Sequence, residues 1–246
     1  MKTILILGAT SAIAIATARL WAQDKSAFIL LGRNATKLKA VKNDLIARGA
    51  STVKVCLIDC GQIDNLTEKF QAIFDDQKKV DTFLMTHGIL PDQTECNHKP
   101  KELLRQVEIN GTSAVIALSI IAEHMEKQGH GNIIAVTSVA GDRGRQSNYA
   151  YGATKKLVST FLEGLAHRFH SNPIQIIDIR PGFVDTPMTK HIERKGFLWS
   201  TPEKIAQKIF INTGKESRVV YAPSYWFFIM MVIRLIPNHI FRRTKL

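Results

Sequence analysis

Short apolar runs alternate with longer amphipathic stretches along the chain, and that alternation sets the first expectation. The runs 3–7, 27–31, 52–58, 81–86, 132–137, 174–179 and 218–221 are mostly β-branched or aliphatic. They lack the period-two alternation of a half-exposed strand, which is the pattern of parallel strands covered on both faces. Helix-like stretches near 12–24, 35–48, 63–77, 100–128, 150–170 and 202–213 lie between them. Strict alternation of strand and helix predicts an α/β fold, a doubly wound parallel sheet of the Rossmann type with helices on both faces. Such sheets bind ligands beyond the carboxyl ends of their strands, so functional residues are sought there. No internal repeat or low-complexity linker interrupts the pattern, which predicts one domain over 1–221 and an apolar, basic helical extension over 222–246.

Composition narrows the partners. A chain of 246 residues can bury a full core without disulfides or a structural metal. Cys56, Cys60 and Cys96 are odd in number and lack C-x-x-C spacing, as expected of reduced thiols in a cytoplasmic protein. Met1-Lys2-Thr3 passes directly into an apolar strand, so no signal peptide is expected. Against 21 Asp+Glu stand 33 Lys+Arg, a net charge of +12. Without a basic block or an aromatic-rich RNA signature, no nucleic acid is expected; an anionic cofactor, substrate or lipid is.

Candidate chemistry begins where the first strand ends. Gly8 is followed by Ala9-Thr10-Ser11-Ala12-Ile13-Ala14, which opens a helix. Glycine permits a tight turn, and the free N–H groups of a helix start suit a pyrophosphate. Ala12 and Ala14 stand where further glycines are usual, so Gly8, Thr10, Ser11 and Ile13 are the expected cofactor contacts. At the end of the second strand an NAD site places an acid on the ribose hydroxyl. Gly32-Arg33-Asn34 has none, and the Arg33 guanidinium matches a 2′-phosphate, which favours NADPH over NADH. Asp59, after the third strand, is placed either to accept the adenine amino group or to cap the helix that follows.

Tyr151 and Lys155 stand four apart, on one helix face. A lysine cation beside a phenol favours the phenolate and lowers its pKa. Such an acid/base can protonate a carbonyl oxygen as hydride arrives at carbon. Ser138 ends the fifth strand, and the loop after it can bring its hydroxyl to the same carbonyl. Asn110, inside a long helical stretch, is placed to kink the helix or hold a water.

Gly8, Ser138, Tyr151-x-x-x-Lys155 and the run Pro181-Gly182-Phe183-Val184-Asp185-Thr186 together resemble the short-chain dehydrogenase/reductase family, over residues 3–221. The resemblance implies that Ser138 orients the carbonyl, Tyr151 donates the proton and Lys155 holds the nicotinamide ribose while tuning Tyr151. It implies that Asn110 supports a relay water and that Pro181, Gly182, Val184 and Thr186 frame the nicotinamide. The family's N-N-A-G reads Met85-Thr86-His87-Gly88 here. Gly88 is kept as a cofactor contact, and His87 is expected to be structural. In that family the helix over 150–170 pairs with its copy, which implies a homo-oligomer. Its stripe of Leu157, Phe161, Leu165 and Phe169 fits a plain core face as well.

The tail adds a substrate class. After Glu216 no acid occurs, while Arg218, Arg234, Arg242, Arg243 and Lys245 do, around the apolar run Tyr225 to Ile233. That run is too short to span a bilayer. It suits an interfacial helix on the inner face of the membrane, or a helix packed on the body or across a dimer. The segment from Pro187 to Trp199 mixes cations (Lys190, Arg194, Lys195) with bulky apolar groups, as a lid over an anionic lipid head would. Lys190, Trp199, Arg143 and Arg145 are the expected substrate contacts, the arginines on phosphate.

Three runs are similar to the decaprenylphosphoryl-2-keto-β-D-erythro-pentose reductase group: Ala140 to Arg143 leading to Asn148–Gly152, Tyr221-Ala222-Pro223, and Met230 to Arg242. The likeness implies reduction of a 2-keto sugar on a polyprenyl phosphate, with a separate oxidase partner making the ketone. Another lipid ketone, a 3-ketoacyl thioester or a sterol, is the alternative substrate. A non-catalytic dinucleotide-binding membrane module is the alternative outside enzymes, and the intact Ser138, Tyr151 and Lys155 argue against it.

Overall fold

The computed structural model describes residues 2–77, 79–193 and 196–244; Arg194, Lys195 and Lys245, counted above among the cations of the lid and tail, lie outside the described residues. The strands are β1 (Thr3–Leu7), β2 (Ala27–Gly32), β3 (Thr52–Leu57), β4 (Thr82–Met85), β5 (Gly131–Val136), β6 (Ile174–Pro181), β7 (Phe183–Val184), β8 (Trp199–Ser200) and β9 (Arg218–Ala222). The helices are α1 (Ala12–Ala22), α2 (Ala35–Ala47), α3 (Leu66–Asp76), α4 (Gln93–His98), α5 (Pro100–Val107), α6 (Ser113–Gln128), α7 (Tyr149–Arg168), α8 (Pro202–Asn212), α9 (Tyr225–Leu235) and α10 (Asn238–Phe241). Seven strands form one parallel sheet in the order β3-β2-β1-β4-β5-β6-β9, and β7 pairs with β8 beside it. The order reverses between β1 and β4, which opens a crevice at their carboxyl ends.

Successive residues of β1 point to opposite faces and serve two cores. Ile4 and Ile6 pack with Ile13, Trp21, Leu38 and Ile209 of α1, α2 and α8. Leu5 and Leu7 pack with Phe70, Leu118 and Leu162 of α3, α6 and α7. The expectation of burial on both faces fails at the sheet edges: in β3 only Val53 is buried, and β9 begins exposed. Those strands have a neighbour on one side only. In the stripe on α7, Leu165 and Phe169 are buried and Phe161 packs against the same core, so only Leu157 is exposed. Most of that stripe is core.

The long helix expected over 100–128 is present and runs without a gap, but it is not α-helical throughout. Pro100 starts α5, a π-helical turn over Glu108–Thr112 follows, and α6 ends at Gly129 in the left-handed conformation. Asn110 sits in that π turn, where the regular α-helical pattern of the stretch changes.

Helix α9 is not a free appendage beyond 221. Trp226 and Met230 are buried with Val139, and Phe183, Leu198, Ile229 and Ile233 pack around them. On the opposite side Phe227, Phe228, Met231, Val232 and Leu235 face outward, with Leu235 76% exposed. Eleven residues make a helix about 16 Å long. Among the described residues no helix is long and apolar enough to cross a membrane. Truncating the buried indole should therefore behave as a core deletion: Trp226→Ala lowers stability by roughly 3–5 kcal/mol, whereas Phe228→Ala on the outer side stays within about 0.5 kcal/mol. Equilibrium denaturation in urea checks both.

Candidate active site

A cleft of about 300 Å³ opens at the switch point, lined on one side by the turn after β1 and on the other by the loops after β4, β5 and β6. Gly8 takes φ +86°, and a Cβ there would fall 2.5 Å from the His87 amide nitrogen. No other residue fits that turn without moving the next strand's exit. Ser11, at the N-cap of α1, makes no side-chain capping bond, and the first turn carries no acid. The helix therefore presents unsatisfied N–H groups and its positive end to the cleft, an arrangement that fits a pyrophosphate.

The adenosine side is basic. Arg33 lines the cleft and forms no ion pair among the described residues. The Asp59 Oδ1 accepts from Gly61 N at 3.0 Å, so its carboxylate shapes the turn at the cleft wall and caps no helix. Thr86 and His87, from the segment matched to the family's N-N-A-G, also line the cleft, as does Cys60, to which no motif pointed. Burial pushes the Cys60 thiol up to about 12, which keeps it protonated. Ser113 donates to Ile109 O at 2.7 Å, so the His87 Nε2, 3.0 Å from Ser113 Oγ, is the donor of that pair. Burial, and then Lys155, lower the His87 pKa to about 3, so the ring is neutral.

At the other end Ser138, Tyr151 and Lys155 face the same space. Ser138 caps the 3₁₀ turn Val139–Gly141, its hydroxyl accepting from Ala140 N at 3.1 Å. Gly152, next to Tyr151, lets that turn approach α7: a Cβ on it would lie 2.6 Å from Ala140 O. Lys155 Nζ donates to Val136 O at 3.3 Å and lies 5.6 Å from the centre of the Tyr151 ring. The expected lowering of the phenol by this lysine does not occur. Burial dominates and pushes Tyr151 up to about 12, with the Ser138 hydroxyl pulling it partly back. Burial also brings Lys155 down to about 8, against the pull of Asp178. A phenol held neutral is a proton donor in waiting, which suits delivery of a proton to a carbonyl oxygen.

Asn110 stands behind this set rather than in the cleft lining. Its Oδ1 accepts from Ile89 N at 2.8 Å and its Nδ2 donates to Ile89 O at 2.7 Å. The side chain thus clamps the loop after β4, next to Gly88. Pro181, Gly182, Val184 and Thr186 line the cleft as expected, and Thr186 N donates to Thr189 Oγ1 at 3.2 Å to close the turn that follows.

The four expected substrate residues lie outside the cleft lining. Trp199 stacks on Phe183 with ring centres 5.3 Å apart, supporting the nicotinamide loop from behind. Lys190 is exposed at the end of the 3₁₀ turn Pro187–Thr189. Arg143 is taken up by the tail: it donates to Ile233 O, to Ile236 O at 2.8 Å and to Asn238 Oδ1 at 3.0 Å, and it covers the Phe241 ring. The phosphate role expected of Arg143 is thereby corrected to an anchoring one. Arg145 reaches Met230 of α9.

Sequence reading missed a buried network beneath Ser138. Arg180 donates to Asp178 Oδ2 at 2.7 Å and to Asp142 Oδ1 at 2.9 Å, and Tyr221 donates to Asp142 Oδ2 at 2.7 Å. Asp178 also accepts from Thr137, the residue before Ser138. The available signal was an acid and a base two apart, on one face of an otherwise apolar strand.

A nucleotide-sized crevice at a parallel sheet's switch point, ending in a serine, tyrosine and lysine, defines an NAD(P)-dependent oxidoreductase. The chain matches the family described as short chain dehydrogenase over residues 2–196, and it belongs to the short-chain dehydrogenase/reductase family. An uncharacterized oxidoreductase of Streptomyces coelicolor is 30% identical over 243 residues, 98% of this chain and 95% of that protein. A 3-oxoacyl-[acyl-carrier-protein] reductase of Synechocystis sp. is 26% identical over 230 residues, 90% and 93% of the two chains. A short-chain dehydrogenase/reductase structure from Mycobacterium ulcerans matches with a TM-score of 0.80 at 18% identity, covering 99% of this chain and 98% of that one. The actinorhodin polyketide ketoreductase solved with NADPH matches at 0.79 and 18%, covering 89% and 95%. At these identities the structural likeness is one of fold.

The nicotinamide cofactor of this family supplies or accepts hydride when bound. Within the protein, Ser138 is placed to orient the carbonyl oxygen, Tyr151 to give it a proton, and Lys155 to carry positive charge beside the exchange. Tyr151→Phe should reduce turnover by at least about a hundredfold, within the range of general acid catalysis, and leave the cofactor's dissociation constant unchanged. Steady-state rates and a fluorescence titration check the two halves.

Proposed function

We propose that this protein is an NADPH-dependent ketoreductase acting on a ketone carried by a membrane lipid, specifically the 2-keto sugar of a polyprenyl-phosphate pentose. The observation that carries the reading is helix α9: one side packs against the loop framing the nicotinamide end, and the other is an exposed apolar surface. Phe197, 81% exposed, extends that surface, since Tyr225 of α9 donates to its carbonyl at 3.0 Å. Arg234, Arg242 and Arg243 are exposed along the same acid-free tail. An aromatic, apolar helix rimmed by arginines suits the headgroup layer of an anionic bilayer, here the inner face of the membrane. A separate oxidase supplies the ketone. Exposed Leu103, Leu104 and Val107 on α5, with Leu157 on α7, support a homo-oligomer formed through that face.

Preference for NADPH rests on Arg33 at the cleft and on the lack of an acid at the end of β2. The name of the Synechocystis relative favours a second reading, a 3-ketoacyl thioester as substrate. The catalytic set is the same in either case.

Arg33→Glu should raise KM for NADPH by roughly tenfold or more while changing KM for NADH little, on the scale of one charged hydrogen bond; an unchanged ratio removes Arg33 from the cofactor. The deciding assay is NADPH oxidation with the polyprenyl-phosphate 2-keto-pentose carried in anionic vesicles, beside water-soluble and acyl-thioester ketones. Turnover of the lipid-linked sugar alone is expected, with vesicle binding lost in the double variant Phe228→Asp, Val232→Asp. Activity confined to the thioester keeps the chemistry and discards the sugar.

A further inference from the structure

Two arginines follow Ser138 on the loop to α7, and the fold treats them in opposite ways. Arg143 is held by two tail carbonyls, the Asn238 side chain and an aromatic face. Arg145 is not. One of its Nη atoms has the Met230 sulfur at 3.1 Å, a weak acceptor, and its Nε is shut from solvent without any partner. Burial lowers its pKa, and the one opposing charge is Asp142. That carboxylate is already shared between Arg180 and Tyr221. Asp178 is likewise occupied by Arg180 and Thr137. Among the described residues no carboxylate pairs with Arg145.

A guanidinium stays charged throughout the physiological range, and burying one without a counter-ion is costly. The donors left idle are of the kind that grip two phosphate oxygens at once. Their place in the fold is specific. The backbone carbonyl of Arg145 accepts from Asn148 N at 3.2 Å, which fixes the loop just before α7 and Tyr151. Met230, which the guanidinium touches, lies one turn from Trp226 and hence from the nicotinamide loop. Asn148 Oδ1 is also buried without a partner, an acceptor suited to a sugar hydroxyl.

We infer that Arg145 is the phosphate-recognition residue of the substrate site, seating a phosphate ester between the 142–148 loop and α9 and exchanging the Met230 sulfur for phosphate oxygens. The inference rests on the lipid-phosphate reading above and adds a layout to it. The ketone lies at Ser138 and Tyr151, the phosphate at Arg145, and the chain continues onto the outer surface of α9. A free phosphate group would satisfy the same donors, so the test separates the two sources.

The full-length protein saturated with NADP⁺ is titrated by calorimetry with farnesyl phosphate, farnesol and inorganic phosphate. Farnesyl phosphate is expected to bind, with affinity falling about ten- to a hundredfold in Arg145→Gln, the scale of a lost charged hydrogen bond. Farnesol is expected to bind wild type and variant equally weakly. Affinity for inorganic phosphate equal to that for farnesyl phosphate assigns the site to a free anion and overturns the lipid layout. Unchanged NADP⁺ affinity confirms that the variant is folded; if it is not, Arg145→Lys decides, with a smaller but measurable loss expected. Farnesyl phosphate binding that is absent in wild type, or equal in wild type and both variants, overturns the inference. Arg145-dependent binding without turnover of the lipid-linked keto sugar keeps the phosphate site and discards the sugar, so the two failures are distinguishable.

Discussion

The buried ion-pair network around Arg180 is the constraint on which the reacting end of this molecule depends. Asp178 and Arg180 belong to β6, Tyr221 to β9, Thr137 to the exit of β5 and Asp142 to the loop after Ser138. Three strand ends and one loop are thus tied by charged hydrogen bonds, the strongest ordinary kind. Removing Arg180 would leave two carboxylates without their counter-ion in a water-poor setting, which costs far more than the pairs contribute when complete. That asymmetry holds Ser138 where Tyr151 can use it. It also leaves Asp178 close enough to support the charge of Lys155.

The parts of the fold and site legible in the sequence were those whose signal is local. Apolar runs such as Thr3–Leu7 report their own burial, and Gly8 with Ser11 announces a strand-to-helix turn by composition alone. Every expected cofactor contact, from Gly8 to Thr186, lines one cleft. Readings went astray where a distant segment decides the outcome. Arg143 looked like a phosphate ligand because its partners, the carbonyls of Ile233 and Ile236, lie some ninety residues away in sequence. The lysine was expected to control the Tyr151 pKa, but burial by the surrounding loops outweighs it. Edge exposure of β3 and β9 likewise follows from strand order, which no single strand encodes.

Helix α9 shows why an apolar run resists interpretation without three dimensions. Trp226 and Met230, spaced four apart, are core; Phe227, Phe228, Met231 and Val232 between and beyond them are surface. A helix apolar all round normally signals complete burial. Here half of it is used by the body of the protein, and the half left over is what the proposed lipid contact requires.

The contact between Gly182 and Trp226 has a further consequence. Gly182 lines the cleft on its inner side, while the indole ring fills the space a side chain would take on its outer side. The wall of the reaction chamber is therefore a single peptide thick, with the tail as its outer cladding. The two positions are also bound to one another: a Cβ at 182 would lie 2.0 Å from the ring at 226, so one or the other would have to give way.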